Sequence, residues 1–234
     1  MSKAARIGGV ALISFALLYL ASFLLASPLV GIEDGDNPAS SLGFLRRHAS
    51  VFFASGVASV LTSVALTVAV LSASDLGLRA PGSLAARVTS AFGMFAAAYL
   101  FAFGVLRMQA PGTLVYMADL NRSWGEAAYL AVQMAGTQGL ASAGVFALSG
   151  WAVGLSFFGW RSGAVPFALA LLGVAPALPW IMGLLARTSL LPEGLWILYI
   201  GSIVLGIPLW GIVLGGYLVG RSARWSVRAP IGSG

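Results

Sequence analysis

Six of the chain's seven carboxylates sit where they could do chemistry: Glu33, Asp34 and Asp36 in GIEDGDNPASSLGFLRRH (31–48), then Asp119, Glu126 and Glu193. The same stretch carries Arg46, Arg47 and the sole histidine, His48. Carboxylates gathered at one face could hold a divalent cation or share acid–base work. The spacing argues against the first role. Asp34-Gly35-Asp36-Asn37 is a fragment of a calcium loop, without the spaced ligands and the closing Glu. One histidine cannot supply bis-histidine haem ligation, and it falls short of the histidine clusters of intramembrane metal hydrolases. The absence of cysteine excludes disulfide, thiolate-metal and thiol chemistry. Lys3 is the only lysine, so no span offers one for a retinal-type Schiff base. No catalytic residue, metal ligand or cofactor is therefore expected. The preferred reading of 31–48 is a solvated loop. Gly35 and Asn37-Pro38 give it turn character, and Arg46, Arg47 and His48 form a basic anchor at the lipid headgroups. The rival is an outer-face enzyme site in which the loop acids converge with Asp119, Glu126 and Glu193.

The elements that must position these residues live in lipid. Of 234 residues, 59% are hydrophobic and 9% charged, with a mean hydropathy of +0.94. A soluble domain carries about 25% charged residues, and a chain this apolar could not cover its surface in water. The formal charge of +6 is spread along the chain without a dense basic run, which argues against nucleic acid as a partner. Crossing a bilayer takes about 20 apolar residues as a helix. Segments of that kind lie at approximately 7–30, 49–73, 84–108, 127–160, 165–187 and 195–220. Their continuous apolar runs lack two-residue alternation, so helices rather than a barrel are expected. The expected fold is an all-α bundle of six transmembrane helices in a single domain, 1–234. The first segment has a basic start and small residues at Ala26 and Ser27, as a signal peptide would. Its apolar run is longer than the 7–15 residues usual for one, and it is read as the first span.

Arginine and lysine placement sets the orientation. With the N-terminus inside, the inner side holds Lys3, Arg6, Arg79, Arg87, Arg161, Arg221, Arg224 and Arg228 against Asp75 alone. The outer side holds Arg46, Arg47, Arg107, Arg122 and Arg187 against the six acids named above. Both termini are therefore expected in the cytoplasm. Arg87 and Arg107 lie about 30 Å apart along a helix, so each can snorkel to its own interface. The fourth segment overshoots a bilayer, running about 51 Å from Glu126 to Trp160. This places Gln133 and Gln138 at or beyond the headgroups. Ser123 and Glu126 form an S-x-x-E capping box for its start. An outer extension of the third and fourth spans is expected, joined through Ala110-Pro111-Gly112 and a short amphipathic piece near Leu114–Leu120.

Two patterns remain. Gly211 with Gly215, and Gly216 with Gly220, have the small-residue spacing of packed membrane helices. In the second span Ser55, Ser59, Thr62 and Ser63 share one face. Pro176 and Pro179 fall near the middle of the fifth segment and Pro208 near the middle of the sixth. Each proline removes a backbone donor and can kink its helix. A joint bend would open an apolar cavity against Ser59, Thr62 and Ser63, with Trp180 and Trp210 at its edge. Such a cavity suits a lipid or a neutral molecule, because no charge lines it.

The stretch GWAVGLSFFGWRSGAVPFALALLGVAP (150–176) is similar to a pattern in a bacterial family of six-span membrane proteins classed as a domain of unknown function. The matching residues are Gly150, Gly154, Gly159, Trp160, Arg161, Gly163, Pro166 and Gly173. The resemblance implies a six-helix bundle and brings no catalytic residue or ligand. The leading functional expectation is a non-enzymatic accessory or structural subunit, or a binder of lipid or another apolar molecule. Its partners would be membrane lipids and either a second copy of the chain or another membrane protein. The alternatives are a small permease for a neutral or amphipathic solute and the outer-face enzyme.

Overall fold

The computed structural model describes residues 2–26, 37–75, 84–187 and 201–227. These form nine α-helices: α1 (Ser2–Ala26), α2 (Pro38–Arg47), α3 (Ala49–Asp75), α4 (Leu84–Leu120), α5 (Arg122–Gln133), α6 (Ser142–Arg161), α7 (Phe167–Leu172), α8 (Leu178–Arg187) and α9 (Ile207–Val227). No strand occurs among the described residues. Among the described residues five helical stretches are long and apolar enough to cross a membrane: Lys3–Leu25, Ala49–Ala73, Leu84–Leu120, Arg122–Arg161 and Ser202–Arg221. Between 33% and 44% of each apolar window is buried within the protein. Most of each window therefore needs an apolar environment that the chain does not provide, and lipid supplies it. The protein is an integral membrane helical bundle.

The expected fifth span is a broken segment. Helix α7 stops at Leu172, a 3-10 turn covers Ala175–Ala177, and α8 begins at Leu178. Pro179, in the first turn of α8, has no N–H to give the Pro176 carbonyl, and the Ser149 hydroxyl of α6 donates to that carbonyl. A π-helical turn, Ser202–Gly206, leads into Pro208 near the start of α9. Another π-helical stretch, Met134–Ala141, joins α5 to α6, where Gly136 and Gly139 weaken the regular helix.

Three local expectations are corrected. Ala110-Pro111-Gly112 does not break the chain, because α4 runs through Pro111 to Leu120 as one helix. The proline costs a single backbone hydrogen bond, to the Arg107 carbonyl, and Leu114 beyond it is fixed in an apolar cluster. The cap of α5 is Asn121, not Ser123. The Asn121 Oδ1 accepts from Ser123 N at 2.9 Å, while Glu126 pairs with Arg122 one turn earlier. Residues 38–47 are helix rather than loop. Asn37 caps α2 and Pro38 takes its first turn, an arrangement that suits a residue with fixed φ and no N–H.

Contacts divide the chain into two compact units: Met1–Leu17 with Ala65–Phe95 and Val145–Gly234, and Leu18–Val64 with Ala96–Gly144. In the first unit α1 and α9 touch backbone to backbone. A Cβ on Gly215 would lie 2.6 Å from the Gly9 carbonyl, and one on Gly211 would lie 3.0 Å from Ala16 Cβ. In the second unit α3 and α4 cross in the same way, with a Cβ on Gly56 reaching 2.7 Å from the Gly104 carbonyl. That unit also packs α2 onto α4 and α5 through Leu42, Leu45 and Leu114, with Phe52, Ala118 and Tyr129 around them.

Candidate functional site

Glu33, Asp34, Asp36 and Glu193 lie outside the described residues, so the expected solvated loop is described only from Asn37 onward. There α2 turns Ser41, Leu42, Phe44 and Leu45 inward and leaves Arg46, Arg47 and His48 exposed. Arg46 bridges to Asp119 at the end of α4, and Arg122 bonds Glu126 at 2.8 Å. The His48 ring lies 4.5 Å from that of Phe44. Among the described residues no three or more His, Asp or Glu gather as metal ligands. Asp119 and Glu126 are each engaged by an arginine.

In the second unit the hydroxyl face of α3 meets α1 rather than open space. Ser22 and Ser59 hydroxyls are 2.6 Å apart, Ser22 donates to the Ser55 carbonyl at 3.2 Å, and Ser55 donates to the Ser22 carbonyl at 3.1 Å. Thr62 turns back on its own helix, donating to Ala58 at 2.7 Å. Ser63 is buried as well.

The proline and tryptophan residues of the expected cavity belong to the first unit. Pro176, Pro179 and Pro208 are buried, and Trp180 is exposed with its ring 5.0 Å from Phe146. Trp210 is fully buried. Its Nε1 donates to Ser156 Oγ at 3.3 Å, and its ring meets Trp151 edge to face at 5.5 Å. Glycines make room for this pair: a Cβ on Gly93 would lie 2.8 Å from Trp151, and one on Gly173 would overlap the Ser156 hydroxyl. The Trp151 N–H is buried with no acceptor among the described residues.

The glycine stripe of α9 divides in two. Gly211 and Gly215 pack on α1, whereas a Cβ on Gly216 or Gly220 would meet nothing within 4 Å. Leu218, on the same helix, is buried. At the turn after α6 the positive φ of Gly163 (69°) lets the chain reverse, and Arg221 donates to the Ala164 carbonyl across it.

Sequence reasoning missed two features. One is the Trp151–Trp210 pair with Ser156, whose only signal was tryptophan in the middle of apolar runs instead of at their ends. The other is Arg107. Its guanidinium lies over two rings, Phe52 at 5.5 Å and Phe103 at 5.3 Å, a placement that a snorkelling assignment does not foresee. No family model, curated protein or solved structure matches this chain.

Proposed function

We propose that this chain is a non-enzymatic membrane subunit that binds lipid or another apolar molecule, crossing a bacterial plasma membrane six times with both termini in the cytoplasm. The observation that carries the reading is how polar and small side chains are spent. The hydroxyls of Ser22, Ser55 and Ser59 and the backbones at Gly9, Gly56, Gly104 and Gly215 are committed to helix contacts. Large apolar side chains such as Phe95 (59% exposed) and Leu205 (64%) are left outward. That is the division of labour of a packing scaffold in lipid. The charge asymmetry of the sequence supports the orientation.

A second reading is a small permease for a neutral or amphipathic solute. The break at Pro176–Pro179 and the π-helical turn before Pro208 favour it, since interrupted helices line substrate sites in transporters. Native purification in lipid, with mass spectrometry of what co-purifies, separates the two. A protein partner or a stoichiometric apolar molecule is expected. A chain that carries neither, and that moves neutral solutes across proteoliposomes, would favour the permease.

A further inference from the structure

The two described carboxylates of the second unit are both occupied, Asp119 by Arg46 and Glu126 by Arg122. Among the described residues no hydrogen bond or ion pair engages Arg107. It is instead held by aromatic rings, Phe52 from α3 and Phe103 from α4. The backbone crossing one turn further along sets this grip. Gly56 and Gly104 bring α3 and α4 together so closely that a Cβ on either would press on the other's carbonyl. Phe52 precedes Gly56 by one turn, and Phe103 and Arg107 flank Gly104. Rings attract the faces of a guanidinium. The five N–H donors around its edge are not spent by such contacts, and they form a fork that matches phosphate. By residue count Arg107 stands about 30 Å along α4 from Arg87, the separation between the two surfaces of a hydrocarbon core. On the reading that Arg87 and Arg107 mark opposite membrane surfaces, Arg107 lies near the depth of the lipid headgroups.

We propose that Arg107, held over the rings of Phe52 and Phe103, is the centre of a binding site for a phosphate-bearing anion at the membrane surface, either the phosphodiester of an anionic lipid headgroup or a free phosphate. The site rests on the membrane-bundle reading and gives its lipid contact a place. Rings hold the cation without neutralising it, and the ligand supplies the counter-charge.

The test compares the whole protein in detergent with Arg107→Gln. The probes are phosphatidylglycerol, diacylglycerol as its phosphate-free counterpart, and inorganic phosphate. Native mass spectrometry is expected to show about tenfold less retained phosphatidylglycerol in the Gln variant, with diacylglycerol retained equally by both proteins. That result assigns a lipid source. If phosphatidylglycerol does not discriminate but millimolar phosphate raises the melting temperature of the wild type alone, the site holds and its ligand is free phosphate. If neither probe distinguishes the two proteins, the site is overturned. General lipid carry-over that persists in both would then leave the membrane-bundle reading standing, and its absence from both would count against that reading too. A Gln variant that loses stability without any dependence on either probe would point to a carboxylate partner within the chain and also overturn the site. Should the Gln variant not fold, Arg107→Lys carries the test, because it keeps the charge and loses the fork. Several-fold weaker retention supports the site, and unchanged retention overturns it.

Discussion

In the unit built from Leu18–Val64 and Ala96–Gly144, serine hydroxyls join α1 to α3, each answered by another serine or by a backbone carbonyl. In the unit built from Met1–Leu17, Ala65–Phe95 and Val145–Gly234, two indole rings fill the interior, and glycines on α4 and the turn after α7 make space for Trp151 and for Ser156 beneath Trp210. The two solutions differ in how much rests on one residue. A serine pair is small and its bonds are replaceable, since a hydroxyl in a membrane helix can always return to its own carbonyls. A buried indole seated against a glycine is a large volume in a fitted hole, so either partner is hard to change. Backbone-to-backbone glycine contact occurs in both units, at Gly9–Gly215 and at Gly56–Gly104.

Substitutions can break this comparison at graded strengths. Gly215→Leu is expected to have the largest effect, about 3 kcal/mol of destabilisation in a detergent unfolding titration. Its first carbon already meets the Gly9 carbonyl at 2.6 Å, and backbone cannot step aside. Trp210→Phe comes next, at about 2 kcal/mol by the same titration, from the lost volume and the abandoned Ser156 bond. Ser59→Ala should cost only about 0.6 kcal/mol, a typical value for an interhelical hydrogen bond in a membrane. Gly216→Leu should change stability by less than about 0.5 kcal/mol, because its Cβ enters open space. Equal effects at Gly215 and Gly216 would dissolve the distinction between the two faces of α9. A serine effect as large as the tryptophan one would erase the contrast between the units.

The sequence made the bundle legible because the bilayer imposes a length on every crossing. The apolar runs at 49–73 and 84–108 coincide with described helices, and α4 simply continues further. Whether the chain crosses six times is harder to read. The segment 165–187 is apolar enough throughout, but hydropathy does not register that Pro176 and Pro179 divide it into short helices. Cap chemistry was readable and was misassigned by two residues. Asn121 and Ser123 are both good caps, and only the fold decides which one leaves the helical backbone. At Asn37-Pro38 the same signal marked the start of α2, but the polar residues around it favoured a loop. The grip on Arg107 could not have been read, because Phe52 lies 55 positions from it and only the Gly56–Gly104 crossing brings them together.

Surface labelling on intact cells tests the proposed orientation of the bundle most directly. The chain has no cysteine, so single probes can be added without background. Ser40 on α2 and Ser162 after α6 are both exposed, whereas Ser41 is buried and would be a poor probe. With an impermeant thiol reagent, Ser40→Cys is expected to label on intact cells and Ser162→Cys only after the cells are opened. Labelling of Ser162→Cys on intact cells, with Ser40→Cys protected, would contradict that orientation.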